Sequence, residues 1–140
     1  VEKHVVSYQA KGVGLYLKLD FPEHLALIDG QHMVRVLDNL LTNALKYSSR
    51  GDTVSVLGRL KEGCIEIDVA DEGAGIAEER KPYIFDRFYQ VPGAKVKGTG
   101  LGLTITKEII EAHGGTISVR DNVEKGTVFT FTIPDNPEVI

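Results

Sequence analysis

The chain has 140 residues, of which 42% are hydrophobic and 26% charged, with a formal net charge of −4 and a pI near 5.5. That length holds one domain around one core, and the acidic balance leaves no basic excess for displacing counterions from nucleic acid, so no nucleic-acid partner is expected. No apolar run approaches the roughly 20 residues that cross a bilayer, no signal-peptide pattern is present, and the single Cys64 offers neither an internal disulfide nor a metal-ligand spacing.

In chain order, residues 2–10 read as the end of a helix, and residues 12–21 alternate Val13, Leu15, Leu17 and Leu19 with more polar positions, the pattern of a half-buried strand. Asp29-Gly30 opens a long helix over about 31–48, which the turn chemistry of Ser49-Arg-Gly-Asp52 closes. At about 100° per residue, Asn39, Asn43, Lys46 and Tyr47 fall on roughly one third of that helix, with Val34, Leu37, Leu41, Ala44 and Leu45 opposite. An amphipathic helix with a solvated polar face is one reading. Two interior asparagines suggest another, because Asn is a poor helix former whose amide competes for backbone groups. An Asn carbonyl is a hard neutral ligand suited to Mg²⁺, and Lys46 would add a point charge for phosphates.

Strands over 53–60 and 64–70 follow, joined through Lys61-Glu-Gly63 as a hairpin. Residues 71–99 lack clear periodicity and read as loop-rich. Leu101, Ile105, Ile109 and Ala112 mark the core stripe of a second helix that stops at His113-Gly-Gly115, where glycine suits a left-handed cap. Strands over 116–120 and 127–133 surround an Asp121-Asn122 turn. The layout is α+β: a mostly antiparallel sheet with helices segregated to one face, a two-layer sandwich.

Two segments carry glycine where backbone must approach something closely, Asp71-Glu-Gly73-Ala-Gly75-Ile76 and Gly98-Thr99-Gly100-Leu101-Gly102-Leu103. The second opens a helix, whose free N–H groups favour an anion. It is not a dinucleotide fingerprint, because the basic loop Val91-Pro-Gly-Ala-Lys-Val-Lys97 precedes it where a strand is required; nor is it a Walker loop, because Thr99-Gly100 stands in the place of Lys-Ser/Thr. The first segment follows a strand and begins with a carboxylate. An Asp buried there can accept from an exocyclic amine through a charge-assisted bond of about 1.5–3 kcal/mol, enough to prefer adenine to guanine.

With Asn43, Asp71 and Gly98 to Gly102 in that order, the chain resembles the catalytic, ATP-binding domain of sensor histidine kinases, within the superfamily of gyrase, heat-shock chaperone, histidine kinase and mismatch-repair ATPases. The likeness covers residues 12–134: Asn39 to Tyr47 resembles the N box, Asp71 to Ile76 the G1 box, Ile84 to Gln90 the F box, Gly98 to Leu103 the G2 box, and Gly126 to Phe131 the closing strand. It implies a Bergerat-type fold with a mixed, mostly antiparallel sheet of about five strands, one domain over 1–140, and residues 1–11 as a connection from an upstream domain.

It also implies roles. Asn43 would hold Mg²⁺, Asn39 would support it or contact phosphate, Lys46 would meet the phosphates and Tyr47 would lie beside base or ribose. Asp71 would bind the adenine amino group, Gly73, Gly75 and Ile76 would admit the base, and Thr127 would complete the pocket. Gly98, Thr99, Gly100, Leu101, Gly102 and Leu103 would receive the phosphates, and Arg87 would neutralise the transferring phosphoryl group. Phe85 and Phe88 would anchor a lid over about 89–97 or simply pack in the core; Lys95 and Lys97 read as solvated. Hydrolysing relatives carry a Glu where this chain has Asn39, and an amide cannot act as a base.

No histidine here has the acceptor pattern: His4 precedes Val5, His24 Leu25, His32 Met33 and His113 Gly114, so each reads as structural or surface. The implied partners are an upstream dimerisation and histidine-phosphoacceptor domain and a response-regulator receiver domain, in a homodimeric full-length protein. The implied location is cytoplasmic, with or without a membrane anchor outside this segment. A gyrase-like ATPase and a non-catalytic nucleotide-binding regulatory module are the alternatives, and an anti-sigma-type serine kinase is a nearer relative that the full F box disfavours.

Overall fold

The computed structural model describes residues 2–20, 30–86 and 102–134. Its sheet is built outward from the strongest local signal. Strands β2 (Thr53–Lys61) and β3 (Cys64–Ala70) carry β-branched residues at alternate positions, and only Glu62 and Gly63 join them. Both have positive φ, 51° and 77°, which gives a two-residue turn the twist that an antiparallel hairpin needs.

The remaining strands assemble around this hairpin. With β1 as Gly14–Asp20, β4 as Thr116–Asp121 and β5 as Thr127–Pro134, the order across the sheet is β1-β2-β3-β5-β4. Only β1 and β2 run parallel; the other three pairs are antiparallel. The mixed, mostly antiparallel five-stranded sheet is therefore the one expected. A parallel neighbour cannot be reached by a hairpin, so the chain crosses from β1 to β2 through the long helix α2 (Gly30–Tyr47).

One sheet face supplies Val54, Val56, Ile65, Ile67, Val69, Phe129, Phe131 and Ile133 to a single core that α2 completes with Val36, Leu40, Leu41 and Ala44. Helix α1 (Glu2–Lys11) adds Tyr8, and α3 (Gly102–Ala112) adds Ile110. On the strands' alternate positions a polar network replaces apolar packing: Asp68 accepts from Thr130 Oγ1 at 2.7 Å and Arg59 at 3.2 Å, and Arg59 also pairs with Glu66. Helix α1 lies along α2 through three contacts in step, His4 Nε2 to Asp38 Oδ1 at 2.8 Å, Tyr8 Oη donating to Leu41 O at 2.7 Å, and Lys11 Nζ donating to Leu45 O at 2.7 Å.

Three expectations need correction. Val34, expected on the inward side of α2, is 58% exposed, and Val36 and Leu40 fill the core beside Leu41 and Ala44. Leu17 and Leu19 are 41% and 55% exposed, so the alternation in β1 does not mark a half-buried face. Val13 and Leu15 reach the core, but β1 is an edge strand in the described sheet, and residues 16–20 are exposed. In α3, Ile109 packs on the core as expected but Ala112 is exposed, and the buried positions are Thr104, Thr106 and Ile110. Apolar periodicity misses this register because its central member is a threonine.

Candidate functional site

Asp71 sits one residue beyond β3, buried at 4% exposure, and backbone encloses one side of its carboxylate. Oδ1 accepts from Gly73 N at 2.9 Å and Thr127 N at 3.1 Å. Asp71 N donates to Thr127 O at 2.9 Å, and Asp71 O accepts from Asn122 Nδ2 at 2.8 Å. Oδ2 is bonded to none of the described residues. Burial pushes the carboxyl above its ordinary 3.8, the two backbone N–H bonds partly offset this, and nearby Asp52 adds to it. The result is an acceptor with Oδ1 fixed by backbone and Oδ2 not engaged by any described residue.

Glycine is required around it. A Cβ on Gly73 would lie 2.5 Å from Tyr47 O, so the loop after β3 can pass the C-terminus of α2 only without a side chain. Gly126 has φ +104°, and a Cβ there would meet Asp71 O at 2.0 Å. These contacts bring Tyr47, Asp71, Gly73 and Thr127 together, with Gly75 against Gly126. Ile76 packs on the core beside them. Tyr47 is half-buried, which raises its phenol pKa, and Lys46 Nζ stands 5.3 Å from the centre of its ring.

Two helical turns earlier on α2, at about 1.5 Å of rise per residue, lies the other end of the site. Asn39 Nδ2 donates to Thr106 Oγ1 at 3.2 Å and reaches Gly102 O at 3.3 Å, tying α2 to the first residue of α3. Asn39 therefore has a structural task that its place in the helix pattern did not reveal. Asn43, between the two ends, makes no hydrogen bond to another described residue. Leu103 packs against the core, and so does Phe85, edge-on to Phe129 at 6.1 Å. Arg87, Phe88, the segment 89–97, Gly98, Thr99, Gly100 and Leu101 lie outside the described residues.

Sequence reasoning missed Asn122, Thr104 and Thr106. Asn122 was visible only as a turn former. Thr106 stands three residues after Leu103 and four before Ile110, so helical spacing alone could have placed it inward. The histidines read as structural include His4, paired with Asp38, and His113, whose Nδ1 lies 2.8 Å from Ile109 O.

A family model described as histidine kinase-, DNA gyrase B- and HSP90-like ATPase matches residues 28–137. The chain belongs to this ATPase family. Within the family it stands with the sensor histidine kinases. It is 46% identical to the sensor histidine kinase WalK of Bacillus subtilis across 79% of this chain and 19% of WalK. The solved catalytic domain of the histidine kinase ThkA is 31% identical, with a TM-score of 0.81 over 98% of this chain and 91% of that one. Full-length ShkA, solved in complex with AMPPNP, is 25% identical, with a TM-score of 0.78 over 95% of this chain and 28% of that one. The segment accordingly corresponds to the ATP-binding catalytic module of a histidine kinase, in the two-layer fold expected. It spans between 14% and 24% of the length of the curated sensor kinases it matches. Among its described residues no helix is long and apolar enough to cross a membrane.

Proposed function

We propose that this histidine-kinase module binds Mg²⁺-ATP and passes the γ-phosphoryl group to a histidine on a separate dimerisation and phosphoacceptor domain, for onward transfer to a response regulator. The observation that carries this reading is the Asp71 carboxylate, with Oδ1 bonded by two backbone N–H groups and Oδ2 not engaged by any described residue, at one end of α2, while Asn39 and Gly102 meet at the other. An adenine amino group bonds to Oδ2, the ring lies between Tyr47 and the Gly73–Gly75–Ile76 turn, and Thr127 closes the far wall. The triphosphate runs back along α2 past Lys46.

Among the described residues no three His, Cys, Asp or Glu side chains are grouped to hold a metal. The donor chemistry fits Mg²⁺ instead, which Asn43 would hold through its neutral amide oxygen. When bound, the ion neutralises phosphate charge. Asn39 presents a neutral amide where a water-activating base would stand, which favours transfer over hydrolysis. Gly98, Thr99, Gly100, Leu101, Gly102 and Leu103 receive the phosphates, and Arg87 offsets charge on the moving group. The full-length protein is read as a cytoplasmic homodimer, with or without a membrane anchor outside this segment.

Calorimetric titration with ATP and Mg²⁺ tests the site. Asp71→Ala is expected to weaken binding roughly tenfold to a hundredfold through loss of the charge-assisted bond. Asn43→Ala is expected to abolish the dependence of affinity on Mg²⁺. Wild-type affinity in both variants would remove the basis for this assignment. Phosphorylation of an acceptor domain supplied in trans then tests the transfer itself.

A further inference from the structure

We propose that Thr104 and Thr106 are positioning residues for phosphate binding, their hydroxyls clamping the first turns of α3 to Phe85 on one side and Asn39 on the other. The inference rests on the nucleotide reading above and adds two residues to it.

A threonine inside a helix gives up side-chain freedom, and a hydroxyl taken from water costs free energy unless it is bonded. Valine would fill either place without that cost. Yet Thr106 is fully buried and Thr104 nearly so, each with its hydroxyl committed. Thr106 Oγ1 donates to Gly102 O at 2.8 Å and accepts from Asn39 Nδ2 at 3.2 Å. Asn39 Nδ2 also reaches Gly102 O at 3.3 Å, which closes a three-membered hydrogen-bond ring across the α2–α3 joint. On the other flank Thr104 Oγ1 donates to Phe85 O at 2.8 Å. Lys107 Nζ lies 5.5 Å from the Phe85 ring centre, so α3 meets the backbone and the ring of the same residue from two positions one turn apart.

The consequence is positional. Gly102 is the first described residue of α3 and directly follows the Gly98 to Leu101 stretch proposed to receive the phosphates. Asn39 lies one turn from Asn43 on the same face of α2. The ring therefore holds the start of α3 at a set distance from the proposed metal ligand. The base end of the site, at Asp71, is held by different bonds and does not depend on the clamp.

That separation makes the clamp testable with ATP and adenosine as paired probes, followed by amide chemical shifts so that weak binding and folding are read together. Thr106→Val, which keeps the volume and removes the hydroxyl, is expected to weaken ATP roughly threefold to tenfold, the effect of one net hydrogen bond, with adenosine changed less than twofold. Thr106→Ser, which restores the hydroxyl, is expected to recover ATP affinity. Equal losses for ATP and adenosine, or no loss for ATP, overturn the inference. If Thr106→Val does not fold, Thr104→Val reads the same clamp from its other flank and is judged by the same two outcomes. A wild-type chain that binds no ATP overturns the nucleotide reading and this inference together; wild-type binding that Asp71→Ala weakens and the threonine variants leave intact overturns this inference alone.

Discussion

At the scale of single residues, Asp71 shows a binding group held at the expense of stability. Its carboxylate is buried, and backbone N–H groups satisfy only Oδ1. Burial favours the neutral form, so the folded chain takes up a proton between the ordinary carboxyl value of 3.8 and the raised one. Stability associated with Asp71 is therefore complete below 3.8 and falls as pH rises through the raised value. Asp71→Asn keeps an acceptor for the two N–H groups and cannot ionise. Its unfolding free energy, measured by denaturant titration at a series of pH values, should gain on wild type as pH rises from below 3.8 to neutrality. A gap that stays constant with pH would refute this account. The same variant should bind ATP poorly, because an amide NH₂ at Oδ2 would face the adenine amino group donor to donor.

At the scale of elements, the turn between β4 and β5 works as a brace for the loop after β3. Asn122 Nδ2 and the bare Cα of Gly126 both approach Asp71 O, from a turn that periodicity describes only as a break between strands. Gly126 and Gly63 separate two reasons for a glycine. Both have positive φ, +104° and +77°, but a Cβ on Gly63 would meet nothing within 4 Å. Gly63→Ala should cost only the left-handed backbone penalty of about 1–2 kcal/mol. Gly126→Ala adds a clash with backbone and should cost about 2–5 kcal/mol in all, with a matching loss of ATP affinity. Thermal unfolding of the pair checks this; equal shifts in Tm would show that the close approach at Gly126 is unimportant.

At the scale of the whole molecule, α1 belongs to the same body as the nucleotide helix. His4, Tyr8 and Lys11 meet Asp38, Leu41 O and Leu45 O in the same chain direction, so α1 and α2 run side by side along the span between the two ends of the site. Tyr8 is the centre of this joint, 1% exposed. Tyr8→Phe should cost about 0.5–1.5 kcal/mol for the lost hydrogen bond. Tyr8→Ala should cost about 3–5 kcal/mol, a large share of the roughly 5–15 kcal/mol that holds a domain folded. Guanidinium unfolding distinguishes the two. A Tyr8→Ala chain as stable as Tyr8→Phe would mean that α1 docks without its aromatic anchor.

What the sequence determined by itself was local. The span of α2, the hairpin at Glu62 and Gly63, the break at His113-Gly114-Gly115 and the order of the motif residues each depend on neighbours within a few positions, so they could be read from side-chain type and spacing. Tertiary structure decided what depends on distant partners. It inserted β5 between β3 and β4, paired β1 parallel to β2, and left Leu17 and Leu19 exposed on an edge strand. It also turned Thr106 inward and gave Asn39 a bond to α3, 63 residues away in the chain. Apolar burial has a period that a sequence displays, whereas a hydrogen bond between two polar side chains has none until the fold brings them within about 3 Å of each other.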